Sequence, residues 1–426
     1  MRSLNFFNSN SRMRGILSER KSGLQFFIYN LSGNALTLLM NFILPLYITA
    51  AGYGTFALLY SLYNLFAAIF TFGLSSSILK FSLDKEERPN LVAQCFFVWV
   101  ILSSLSFVLI MPITWFCSAH NILKVPFSAA IITILSAILI SFQRIMLYYY
   151  IAKSERKKYG QLFIFNKVVQ FAFFVLVVII FTEKKSIEWM PFIFLLQSVI
   201  TVLLILFLER KEYSFYLPKK KEIKSLTKFT LPLTLETFGN LGYSYGFNLL
   251  ISPFLSLSQS GVLNIYTQLG SIVSMTSNAL NNGYLPKFFL NVESKFIFTV
   301  NKYFKYIMMN GSIISIGVFF LGILYKFFAK SVDDDYSIIL LLIYLFGIFV
   351  YLFKAIGSSY LIIQSKTMRI SIITIVSSGL TILIGVISTH IWGFTGCIFS
   401  LSIGYVIQVL FFNFDTIKRV LIEKKN

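Results

Sequence analysis

The chain has 426 residues, of which 57% are apolar or aromatic and 13% charged, with a mean hydropathy of +0.77. Water-soluble domains carry roughly 45–50% apolar and about 25% charged residues, so this composition excludes an ordinary soluble enzyme. A net charge of +20 would mark a nucleic-acid partner only if the cations gathered on one surface.

At about 20 residues per crossing, the apolar runs predict helices over 26–50, 55–80, 91–117, 126–152, 160–182 and 190–208. The longest hydrophilic stretch, Glu209 to Lys228 with Pro218, follows. Six more runs cover 226–252, 259–284, 303–329, 336–363, 369–389 and 393–414. The expected fold is an all-α integral membrane protein of twelve transmembrane helices in two six-helix bundles. The N-terminal bundle is read over 1–208, a cytoplasmic linker over 209–225 and the C-terminal bundle over 226–426.

Short cytoplasmic loops collect lysine and arginine, which tests the span count. Of the 37 basic residues, 29 fall on the two tails and the even-numbered loops, including Lys80, Lys85 and Arg88 after the second run and seven between Arg210 and Lys228. The opposite loops hold Lys124, Lys184, Lys185, Lys326 and Lys330 only. One missed or extra helix would scramble that split, so twelve spans with both termini cytoplasmic are expected. The charge is then a topology signal and an attraction to anionic lipid, and no nucleic-acid partner is expected. The first apolar run, at about 25 residues, exceeds the 7–15 of a signal-sequence core and is retained as a helix.

The two halves repeat. Gly33-Asn34, Asn41, Pro45 and Gly54 match Gly239-Asn240, Asn248, Pro253 and Gly261 at offsets of 206 to 208 residues. An even number of spans per half gives both halves one orientation, related by an axis along the membrane normal. Chance matching in an apolar sequence is the competing reading. Two such bundles enclose a cleft that rocking exposes to each face in turn, the physical basis of alternating access.

A charge at the centre of a membrane helix costs about 2.5–3.5 kcal/mol on insertion scales, which makes each one a functional candidate. Arg144, Lys167 and Lys354 are the intramembrane cations, and Glu236 is the intramembrane carboxylate. Arg144 and Lys167 lie near enough to a boundary to snorkel. Lys354 has Glu236 as a rival structural partner, Lys80 reads equally as an interfacial anchor, and Asn34, Asn41, Asn240 and Asn248 suit interhelical hydrogen bonding. An excess of fixed positive charge favours an anionic passenger, since each cation offsets part of a phosphate's desolvation. The candidate substrate-binding set is Arg144, Lys167, Lys354, Lys80, Asn34 and Asn240, with Glu236 as the ion-coupling candidate.

Catalytic signatures are missing from the sequence: it has no Gly-x-x-x-x-Gly-Lys-Ser/Thr loop and no His-Glu-x-x-His pair. Cys95, Cys117 and Cys397 are too scattered for a disulfide framework or thiolate site, and His120 and His390 cannot hold a metal alone. Asp333-Asp334-Asp335 reads as a solvated turn. Neither a cofactor nor a metal is expected, nor an enzymatic activity.

Three segments carry a family resemblance: Asn30-Leu31-Ser32-Gly33-Asn34 leading to Pro45-Leu46-Tyr47, then Gly54-Thr55-Phe56-Ala57-Leu58-Leu59-Tyr60, then Phe72-Gly73-Leu74-Ser75-Ser76-Ser77-Ile78-Leu79-Lys80. Together they resemble polysaccharide flippases of the Wzx type in the MATE-like superfamily. Lys80 stands where the family pattern has arginine, exchanging a bidentate fork for a point charge. The resemblance implies a carrier in the bacterial inner membrane that turns undecaprenyl-pyrophosphate-linked oligosaccharide, an O-antigen or capsule repeat unit, from the cytoplasmic to the outer leaflet. It also implies a basic central cavity, carried over onto Arg144, Lys167 and Lys354. The implied partners are the lipid-linked substrate, membrane lipid, a polysaccharide polymerase and a chain-length regulator.

Three other readings compete. A cation-coupled multidrug or small-solute exporter of the same fold would use Glu236. A carrier of the major facilitator type would carry Gly-x-x-x-Asp-x-x-Gly-Arg after the second helix, where Phe81-Ser82-Leu83-Asp84-Lys85-Glu86-Glu87-Arg88 stands instead. A membrane polymerase or ligase would need a sizeable outer loop bearing Arg, His or Asp.

Overall fold

The computed structural model describes residues 29, 32–81, 91–153, 155–180, 183–209, 223, 230, 234, 245–291, 295–328, 336–364 and 366–423. Among them every regular element is helical. The N-terminal bundle comprises α1 (residues 32–47), α2 (Ala50–Ile69), α3 (Leu74–Phe81), α4 (Leu91–Ala119), α5 (Phe127–Ala152), α6 (Arg156–Ile180) and α7 (Glu183–Leu208). Thr49 caps α2 by accepting from the Gly52 amide. The second expected span is broken: Phe72 and Gly73 take φ of 47° and 67°, a left-handed turn that ends α2 and starts α3. Glycine adopts that conformation without a Cβ penalty, which gives the Phe72-Gly73-Leu74 segment a structural reason.

In the C-terminal bundle the seventh span is described at Thr230 and Thr234 and over its last turns, as α8 (Phe247–Ile251) and a 3-10 turn at Ser252–Phe254. Then come α9 (Leu257–Asn291), α10 (Phe296–Phe328), α11 (Ile338–Tyr351), α12 (Lys354–Ile363) and α13 (Thr367–Glu423). Ser256 and Gln259 form a reciprocal capping box at the start of α9, each side chain accepting from the other's amide at 3.0–3.1 Å. At about 1.5 Å per residue, α13 is far longer than a bilayer is thick. It doubles back at Gly393, where φ is 59°, and Ser388 donates to the Gly396 carbonyl at 2.9 Å across the bend. The α11–α12 pair is likewise one span interrupted at Leu352 and Phe353. With these breaks counted, the helices give the twelve-span, two-bundle architecture.

Helix ends run past the apolar runs. α9 continues to Asn291 and α13 to Glu423, since hydropathy marks only the stretch within the hydrocarbon. The expected 209–225 linker lies outside the described residues except for Glu209 and Ile223, and so do Glu236, Asn240 and Asp333-Asp334-Asp335.

Among the described residues, seven helices are long and apolar enough to cross a membrane by themselves, α13 among them. Neither α2 nor α9 is in that set. Both pack at the centre, α2 against α5, α7 and α9, and α9 against α2, α10 and α11, so protein rather than lipid surrounds them and polar side chains are tolerated. Large apolar side chains instead crowd the outside of α4, α10 and α13, with Val108, Ile313 and Leu383 all exposed. On a soluble protein this would be an adhesive patch. Here it is the lipid-facing belt.

Candidate functional site

The bundles touch at the end where α2 and α9 begin. A Cβ on Gly54 would stand 1.7 Å from the Leu257 carbonyl oxygen, and one on Gly261 would stand 2.6 Å from that of Ala50. Only glycine permits this approach of backbone to backbone. Asn264 donates to Tyr53 Oη at 2.9 Å, and Lys124 reaches from the N-terminal bundle to the Leu255 carbonyl. This end is closed.

Beyond the seal the bundles part around a cavity of about 520 Å³ lined by α1, α2, α5, α6 and α7 on one wall and by Tyr245, α8, α9, α11 and α13 on the other. Its lining includes nine Asn or Gln side chains, six tyrosines, Arg144 and Lys167, and among the described residues no carboxylate. An interior of this kind is suited to a polar guest with negative charge.

The N-terminal wall is built on a ladder of amides. Gln197 donates to Asn166 Oδ1, Asn166 to Gln143 Oε1, and Gln143 to the Leu162 carbonyl at 3.2 Å, with Thr201 also near Asn166 at 3.4 Å. Asn166 and Gln143 each donate and accept while Gln197 donates, so the ladder ties α5, α6 and α7 with one sense along its length. Arg144, one residue beyond Gln143, donates through Nη2 to Asn64 Oδ1 at 3.0 Å. Lys167, one residue beyond Asn166, lines the same wall as Arg144. Two fixed cations held together in a low-dielectric wall repel each other, and a bound anion relieves that repulsion.

Of the candidate residues, Arg144, Lys167 and Asn34 therefore come together on the cavity wall. Lys354 is not in the lining: its Nζ donates to Tyr351 Oη at 3.2 Å and Gln408 Oε1 at 3.3 Å, and lies 4.6 Å from the Phe412 ring centre. Tyr351 stands between it and the cavity. Lys80 is in the last turn of α3, and its side chain lies outside what the structure describes. Among the described residues, Asn248 lines the cavity with no partner for its Oδ1, and both amide atoms of Asn41 are buried without a partner.

Tyr60, Tyr63, Asn64, Gln143, Gln170, Gln197 and, apart from Asn248, the C-terminal wall are not singled out by the sequence. A signal for part of it exists. Asn264, Thr267, Gln268, Ser271 and Ser274 recur every three to four residues, one polar stripe on an otherwise apolar helix.

Residues 20–289 match the profile of a family described as polysaccharide biosynthesis protein. The chain belongs to this family. Its fold is shared with an inward-facing multidrug resistance MATE family transporter of the MOP superfamily, at TM-score 0.65 and 15% identity over 91% of this chain and 96% of that one. A MOP superfamily transporter from Pyrococcus furiosus, described as having a binding pocket of reverse polarity, aligns at TM-score 0.61 and 15% identity over 93% and 95%. An outward-facing multidrug resistance MATE family transporter gives TM-score 0.59 and 15% identity over 95% and 97%. No curated protein is significantly similar to the chain. Family and fold together bear out the resemblance to Wzx-type flippases and make this polysaccharide biosynthesis family member a multi-pass membrane protein of the MOP transporter fold.

Proposed function

We propose that this family member is a flippase for an oligosaccharide linked to undecaprenyl pyrophosphate, moving it from the cytoplasmic to the outer leaflet of a bacterial inner membrane by alternating access. The observation that carries this reading is the convergence of Arg144 and Lys167 on a cavity shared by both bundles and lined otherwise by amides, tyrosines, serine and threonine hydroxyls and apolar groups. Two cations stabilise a pyrophosphate, amides and hydroxyls suit a sugar, and a greasy exterior leaves the polyprenyl tail in lipid. The loop-charge asymmetry supports cytoplasmic termini, which makes the sealed end the outer one and the cavity cytoplasm-facing. The O-antigen or capsule assignment, and association with a polymerase and a chain-length regulator, belong to the same proposal.

The test is surface-polysaccharide export in a deletion strain complemented with Arg144→Gln/Lys167→Gln. Export is expected to fall at least tenfold with the protein still in the membrane. Undiminished export overturns the reading, and drug sensitivity of the deletion strain with normal export points to an exporter of cationic solutes instead.

A further inference from the structure

The cavity is electrically lopsided. Both of its cations, Arg144 and Lys167, stand on the N-terminal wall, on α5 and α6. The described C-terminal wall carries no ionisable acid or base other than tyrosine. The C-terminal bundle does possess an intramembrane cation, but Lys354 is held behind Tyr351 by that hydroxyl, by Gln408 and by the Phe412 ring.

What the C-terminal wall offers is aromatic and hydroxylic. The Tyr351 and Tyr405 rings lie 5.0 Å apart at 59°, and the hydroxyls of Tyr344 and Tyr405 lie 3.3 Å apart. Facing the same space, Gln268 and Ser271 project from the polar stripe of α9. Angled aromatic faces present apolar surface with polar tips, and amides and hydroxyls both donate and accept. That combination matches a pyranose ring, which has apolar C–H faces and a rim of hydroxyls, and it does not match a phosphate.

We infer that the substrate lies across the two bundles with its pyrophosphate on the Arg144–Lys167 wall and its sugars on the tyrosine wall, so that sugar discrimination resides in the C-terminal bundle. This rests on the flippase reading. Lys354 acts as a positioning residue: by donating to Tyr351 Oη it fixes that hydroxyl's acceptor side and orients the ring that the sugar meets. A wall of hydrogen-bonding groups discriminates sharply, because a sugar lacking the matching hydroxyl leaves a protein group unpaired.

The experiment measures binding to the purified full chain of two probes, sugar-free undecaprenyl pyrophosphate and the glycosylated lipid extracted from the cells that make the protein. Tyr351→Phe/Tyr405→Phe is expected to shift the ratio of the two affinities about tenfold against the glycosylated probe, and Lys354→Met to shift it the same way, with Lys354→Arg restoring it. Arg144→Gln/Lys167→Gln is expected to weaken both probes in parallel. A tyrosine variant that leaves the ratio unchanged, whether by weakening both probes equally or neither, overturns the inference. Loss of neither probe on neutralising Arg144 and Lys167 overturns the flippase reading separately.

Discussion

Gly54 and Gly261, 207 residues apart in the chain, meet where the two bundles seal: the amide nitrogen of each stands within about 3.2 Å of where the other's Cβ would be. They are corresponding positions of the internal repeat, so the pseudo-twofold axis passes close to this contact. A seal made of two backbones has no side chains to rearrange, and a single methyl is enough to part it.

Gly54→Val is therefore expected to hold the closed end apart. Spin labels at Ala51 and Ser256, both exposed at that end, should report a longer distance and a broader distribution than in the parent protein, with export reduced at least tenfold. An unchanged distance would show that the seal tolerates a side chain.

Arg144 both carries charge and donates to Asn64. A hydrogen bond to a charged group contributes about 1.5–3 kcal/mol, on the order of a tenfold to hundredfold change in affinity. Arg144→Ala should lower substrate affinity by that much, Arg144→Lys by less, because the charge remains while the fork is lost. Equal affinities for the two variants would place the effect in packing.

Asn166 sits in the middle of the amide ladder, with Gln143 and Gln197 on either side. Interhelical hydrogen bonds in membranes average about 0.6 kcal/mol, so Asn166→Leu, which strands both neighbours, is expected to cost about 1–2 kcal/mol. The readout is thermal unfolding in detergent, where a clear drop in midpoint is expected. An unchanged midpoint would mean that water replaces the lost amide.

Glu209 is nearly inaccessible, its side chain 2% exposed, and accepts from Lys158 Nζ and Tyr150 Oη at 2.8 Å each, while Lys158 is 35% exposed and also pairs with Glu155 at 2.9 Å. Removing the exposed partner leaves a buried carboxylate without its counter-ion; neutralising the buried one does not. Lys158→Ala should thus lower the unfolding midpoint more than Glu209→Gln. The reverse order would show that solvent reaches Glu209.

Topology has a direct test. With cytoplasmic termini, Asn121→Cys lies at the outer end, where Asn121 is exposed, and should react with a membrane-impermeant maleimide in intact cells. Lys157→Cys, at the opposite end and also exposed, should react only after permeabilisation. Labelling in the opposite pattern inverts the orientation and the direction of loading.

The membrane class, the helical architecture and the two-bundle division were legible because hydropathy is local and additive: twenty apolar residues need a bilayer whatever lies beside them. The breaks at Phe72–Gly73 and Leu352–Phe353 were less so, since each replaces one smooth apolar run with two helices, whereas the turn at Gly393 falls at the boundary of two runs the hydropathy already separates. The repeat was visible as faint matches around Gly54 and Gly261, yet their contact was not, because a glycine shows where a close approach is possible and not what approaches.

The chain's sequence by itself determined that its charges inside the membrane would be few and mostly positive. Only the tertiary structure decided which of them share a space. Arg144 and Lys167 turn to one cavity while Lys354 is absorbed behind Tyr351, and no local pattern distinguishes these fates. The rotation of a helix about its axis is set by the packing of its neighbours, here the Gln143–Asn166–Gln197 ladder on one side and the Tyr351–Gln408–Phe412 surround on the other.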